Sequence, residues 1–168
     1  MTNQTDLNLR EQKLAYVLQS SFDFAFRQMA EGKRLIPFAT RVQMSGAVDF
    51  QREENESTEL PLAEVHDLVR QSMRSQAVAG ELQAAALVAP IQSDEKILGE
   101  GFYQAIRVQL EMADYCRLFF QPYRIEPGVG GEKGKLVMGK LVTTAAEHVI
   151  FGEEPTEGDS GRTIFSLT

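Results

Sequence analysis

The sequence has little with which to do metal or thiol chemistry: one cysteine and two histidines among 168 residues. A lone Cys116 excludes an internal disulfide and fits a reducing compartment. His66 and His148 stand far apart, and HxH, HExxH and CxxC are all missing, so the ligand spacing of a zinc site is not there. Neither a metal nor a cofactor is expected. There is also no Gly-x-Ser-x-Gly elbow and no serine–histidine–acid order, so no catalytic residue is singled out. The glycine-rich PGVGGEKGK falls short of a phosphate loop. Gly128 and Gly134 enclose five residues instead of four, and Leu136 stands where a Ser or Thr would hold magnesium.

No apolar run is long enough to span a bilayer, and no basic start leads into an apolar segment as in a signal peptide. The cytoplasm is the expected compartment. A formal net charge of −7 opposes a nucleic-acid footprint, which needs clustered Lys and Arg, and disfavours an anionic membrane surface. The expected partner is protein, either a second copy or another chain. A hydrophobic fraction of 43% over this length suits one domain with a real core. Residues 1–151 read as that domain, and 152–168 as an acidic linker and tail that either docks or hangs free.

What is present is period-two alternation, clearest in residues 102–124. Ile106, Val108, Leu110 and Met112 are apolar, with Arg107, Gln109 and Glu111 between them, the mark of a strand with one buried and one wetter face. Cys116, Leu118 and Phe120 continue the pattern beyond a turn. A three-residue loop at 113–115 pairs Leu110 with Leu118, Val108 with Phe120 and Glu111 with Arg117, whereas a two-residue turn sets Leu110 against Arg117 and mixes the faces. The longer loop is therefore expected, with Cys116 on the core face as an inert thiol.

Toward the N-terminus, Asn8 to Glu11 reads as a capping box ahead of a helix bearing Leu14, Leu18, Phe22, Ala25 and Met29, stopped at Gly32. Residues 36–50 form a hairpin with Val42 set against Phe50. The acidic residues 52–59 read as a solvated connection, since the alternating ligands of a calcium loop are missing. Pro61 opens a second helix carrying Leu62, Val65, Val69 and Met73. Residues 82–91 (LQAAALVAPI) are apolar on both faces and read as a central strand. Val137, Met138, Leu141 and Val142 form a further apolar segment broken by Gly139. Residues 147–151 are left open between strand and helix.

The expected fold is α+β: an antiparallel sheet of about five or six strands built from hairpins, in the order α-β-β-α-β-β-β, with both helices on one face. The layout resembles profilin-like and roadblock-type domains, without their closing helix. AIRVQLEMADYCRLFFQPYR and PFATRVQMSG resemble parts of a family of small bacterial proteins, a resemblance that implies a fold and no activity.

With both helices on one face, the other face exposes an apolar strip. Leu87, Ile91, Phe119 and Tyr123 are its interface candidates, and a homodimer through that outer face is the expected assembly. Arg107, Gln121 and Arg124, beside Tyr123, form the most interesting polar set. Their alternatives are an anion clamp and an ordinary solvated strand surface. The functional expectation is a non-catalytic interaction or adaptor domain that self-associates. The alternative is a small-ligand binder or small hydrolase with a pocket at Tyr123, Arg124 and Arg107.

Overall fold

The computed structural model describes residues 4–52, 60–152 and 166–167. Most of the acidic stretch at 52–59 and of the tail at 152–168 lies outside the described residues. In chain order the elements are α1 (Gln4–Ala30), β1 (Phe38–Gln43), β2 (Val48–Gln51), α2 (Leu62–Val78), β3 (Leu82–Gln92), the short α3 (Glu95–Leu98), β4 (Gln104–Met112), β5 (Tyr115–Glu126), β6 (Lys135–Met138), β7 (Val142–Ala145) and β8 (Ser166–Leu167). The fold is α+β. Every strand pairing is antiparallel, in the order β2-β1-β3-β4-β5-β6, with β7 also on β5 and β8 on the end of β3.

β3 is central, as its two apolar faces require, but the two helices do not share a face. α1 lies on one side, packing Leu14, Val17, Phe22 and Ala25 over Phe38, Val42, Ala84, Ala86, Val88, Ile106, Val108 and Leu110. α2 lies on the other, packing Val65, Val69 and Met73 over Ala39, Ala85 and Leu87. The expectation of both helices on one face is corrected for a reason visible in β3. A strand apolar on both sides demands a cover on both sides. The small Ala84, Ala85, Ala86 and Ala89, all fully buried, suit close approach from each.

Two registers differ from expectation. The β4–β5 turn has two residues, Ala113 and Asp114, so Met112 pairs with Tyr115, Leu110 with Arg117, Val108 with Phe119 and Glu111 with Cys116. A one-residue slip moves every β5 side chain to the opposite face. Arg117 can share a face with Leu110 because its own side chain is exposed, while Tyr115 and Phe119 on either side of it pack against the α1 cluster. Asp114 in the turn is held by a two-pronged ion pair with Arg10 of α1 at 2.8 Å. In the first hairpin Val42 pairs with Val48 and Thr40 with Phe50, a two-residue shift that leaves the faces unchanged. Asn8 does not cap α1: the helix already runs from Gln4.

Residues 147–151 are neither strand nor helix. They lie against the α2 face, where Ile150 is fully buried and Phe151 nearly so. This segment completes the core on the α2 side. No helix among the described residues is long and apolar enough to cross a membrane.

Candidate functional site

The polar residues of β4 are the first surprise of the α2 face. Arg107, Gln109 and Glu111 alternate with apolar residues as a wetter face would, yet they are 6, 3 and 0% exposed. They form a chain of contacts. His66 Nε2 lies 3.3 Å from Arg107 Nη1, Arg107 Nη2 donates to Gln109 Oε1 at 3.1 Å, and Gln109 Nε2 donates to Glu111 Oε2 at 2.8 Å. Glu111 then receives three backbone N–H groups. Those of Ile150 and Phe151 donate to Oε1 at 3.0 and 3.1 Å, and that of Val149 spans both oxygens. Gln109 also donates to Glu147 O at 2.9 Å. His148 Nε2 sits 2.9 Å from Met112 O. A buried carboxylate met by converging amides is a strong, charge-assisted arrangement, and here it fastens residues 147–151 to the sheet.

The electrostatics of this chain oppose proton-transfer or nucleophilic work. Burial, aided by the neighbouring Arg107 charge, pushes His66 down to about 4. The imidazole is therefore neutral, which lets Nε2 accept from Arg107. Burial lowers Arg107 to about 10. Burial, and then the Glu111 charge, pushes the Cys116 thiol up to about 12, and Gln109 Nε2 contacts its sulfur at 3.6 Å. A thiol needs the opposite environment to become a nucleophile. Cys116 does share a face with Leu118 and Phe120, as expected, but that face is α2's and the residue is only half-buried. Among the described residues no group of three or more His, Cys, Asp or Glu stands together as a metal site would require.

The interface candidates are mostly not on the surface. Leu87 and Ile91 are 0 and 1% exposed. Leu87 packs in the α2 cluster with Ile150 and Phe151, and Ile91 against Leu98, Ala105 and Phe120. The chain's own segments occupy the outer face on which self-association was expected. Phe119 and Tyr123 fall on the α1 face, Phe119 half-buried against the core and Tyr123 edge-on to Phe26 at 5.8 Å. The ligand candidates separate as well. Arg107 lies under α2, away from Arg124, so the clamp of Arg107, Gln121 and Arg124 does not form. Gln121 donates to Gly139 O at 2.9 Å, tying β5 to the end of β6. Arg124 stands over the Phe102 ring at 4.9 Å and pairs with Glu126 at 3.2 Å. Gly101, with φ +84, passes so close beneath Arg124 that a side chain there would meet its guanidinium.

Tyr123 and Arg124 do border a site at the end of the sheet. An open groove of about 510 Å³ runs past Gln92, Ser93, Tyr103, Gln104, Tyr123 and Arg124 to Ile125. A second, of about 360 Å³, shares Tyr123 and Ile125 and continues along Met29, Lys33, Arg34 and Leu35. Beside them lies the β5–β6 ladder, which pairs Tyr123 with Met138 and Ile125 with Leu136. Directly opposed residues share a face, so these four side chains form one apolar square. Ile125, Leu136 and Met138 are 60, 40 and 52% exposed. These three were absent from the expected site residues. The signal was available as a period-two match between RIE and KLVM, masked by the glycines between them.

The outer side of β6 ends the sheet, and nothing among the described residues pairs with it. One step beyond the ladder, Gly139 N–H donates to Pro122 O at 2.9 Å. By antiparallel alternation, Val137 then directs its backbone groups at β5, while Leu136 and Met138 direct theirs outward. The open edge therefore offers free donors and acceptors at the two positions whose side chains are apolar and exposed. Compared with protein-family models, with curated proteins and with solved structures, the chain gives no match.

Proposed function

We propose that this chain is a non-catalytic protein-interaction domain whose docking surface is the open β5–β6 edge. The observation that carries the reading is the coincidence of exposed Ile125, Leu136 and Met138 with outward backbone groups on β6. An extended segment adding to such an edge gains main-chain hydrogen bonds for affinity and side-chain contacts for selectivity. The opposite edge of the sheet is defended. On β2, Asp49 turns inward to Arg41 at 2.6 Å and to Gln43 at 2.8 Å, and Phe50 stacks on Phe24 at 4.4 Å. An inward-turned charge is one way an edge is kept from pairing, and it stands beside a Phe50 that is itself 38% exposed. β6 has only Lys135 at its start. The raised Cys116 and lowered His66 weigh on the same side, against thiol or imidazole catalysis.

The test is a selection of displayed extended peptides on the wild-type chain, counter-selected on Met138→Glu. Selected peptides should slow hydrogen exchange at the Leu136 and Met138 amides. Peptides that protect another surface, or a β6 edge protected neither by a selected peptide nor by rising protein concentration, overturn the reading.

A further inference from the structure

We infer that the strand this edge accepts is β6 of a second copy, paired antiparallel about a twofold axis at Val137. The inference rests on the interaction reading above and names its partner. It follows from the register of β6 alone. A twofold axis perpendicular to the sheet keeps faces, so it must pass through a residue; between two residues it would bring side chains of opposite faces together. Centred on Val137, the pairing sets Val137 against its own copy, Leu136 against Met138 and Lys135 against Gly139.

Both consequences are favourable. Leu136 and Met138 lie on one face, so each meets an apolar partner across the axis, with Ile125 and Tyr123 of each copy flanking them. The same residues carry the outward N–H and C=O groups, so Leu136 and Met138 exchange backbone hydrogen bonds with the copy, while Val137 faces Val137 at a non-hydrogen-bonded position. The one charge at the edge, Lys135, meets glycine and no second lysine. Centring the axis on Leu136 instead would set Val137 against Lys135 and leave Met138 opposite Gly134. Isologous pairing of this kind closes on itself as a dimer.

Val137→Cys supplies the decisive probe. Non-hydrogen-bonded antiparallel neighbours have Cα atoms about 4.5 Å apart, inside the disulfide range. Under mild oxidation the full-length Val137→Cys chain should form a disulfide dimer well ahead of Leu136→Cys. Wild type, whose one thiol is Cys116, should not. Sedimentation should show a reversible dimer, weakened roughly tenfold or more by Met138→Glu, which the axis doubles. A measurement without substitutions runs alongside: exchange at the Leu136 and Met138 amides should slow as protein concentration rises. A dimer in which Leu136→Cys bridges faster than Val137→Cys overturns the register. A chain that sediments as a monomer throughout, with concentration-independent exchange, overturns the second copy as partner. In that case peptide protection of β6 still decides the interaction reading on its own.

Discussion

The α1 and α2 faces draw on the same strands, β1, β3 and β4, and close by different chemistry. On the α1 side the sheet offers Val42, Ala86, Val88, Ile106, Val108 and Leu110, and a helix with an apolar stripe covers them. The polar atoms there are a local matter: Ser21 bonds Val17 O and Thr40, both at 2.7 Å. On the α2 side the helix reaches as far as Arg107 through His66, and the surface beyond carries Gln109 and Glu111. That part closes because backbone amides of residues 149–151 satisfy Glu111. Hydrophobic burial is non-directional and tolerates exchange of one apolar group for another. A buried carboxylate is directional and tolerates little, because removing a partner leaves the other uncompensated. One face should therefore yield gradually to substitution and the other abruptly.

The largest effect should come from Glu111→Leu, which leaves the amides of residues 149–151 and Gln109 without their acceptor. A loss on the order of 3–5 kcal/mol in denaturant unfolding is expected. Glu111→Gln, which keeps one acceptor oxygen, should cost less. Leu110→Ala, one residue away on the α1 face, should cost about 2–5 kcal/mol as a buried large-to-small change, and without loosening residues 147–151. If Glu111→Leu proves as mild as a surface change, the contrast between the faces collapses.

Next in size is a pH effect confined to the α2 face. His66 is held neutral in the fold, down to about 4, whereas an unfolded histidine titrates near 6.5. Its folded value is depressed, so the contribution is fully present above about pH 6.5. It is lost as pH falls toward 4, because the unfolded chain gains a proton the folded chain refuses. The loss is on the order of 3 kcal/mol at most. His66→Gln should flatten this part of the stability profile, measured by urea titrations across that range. An unchanged slope would mean that His66 protonates freely in the fold.

The smallest effect is kinetic. Cys116, half-buried and with its thiol pushed up to about 12, should react with a thiol reagent far more slowly in the native chain than in urea. Equal rates would mean that the Gln109–Glu111 end of the buried chain is open to solvent.

Much of the architecture was legible because hydrophobic periodicity reports directly on it. The central position of β3, the stripes of both helices and the hairpins all follow from spacing. What misled was the rule that the polar half of an alternating strand is wet. Arg107, Gln109 and Glu111 obey the alternation, and it is coverage that puts them inside. The clue was in β3, whose two apolar faces imply a second cover that must extend over its neighbour β4. The β4–β5 register failed for a related reason. Leu110 opposite Arg117 looked forbidden only if every position of β5 on that face were taken to be covered, and Arg117 is exposed. The partner of Glu111 was beyond periodicity altogether, since backbone amides near residue 150 carry no mark in the sequence. The apolar square at the β5–β6 edge, exposed at Ile125, Leu136 and Met138, was hidden because β6 is short and its pairing depends on a glycine-rich connection.

The fastening of residues 147–151 by Glu111 is where the account of the α2 face stands or falls, and residue-resolved hydrogen exchange reads it directly. The amides of Val149, Ile150 and Phe151 belong to no helix or strand, yet they should exchange as slowly as those of Val108 and Leu110 in β4. In Glu111→Leu they should lose that protection before β4 does. Exchange of these three amides at the rate of the exposed loop 127–134 in the wild-type chain would contradict it.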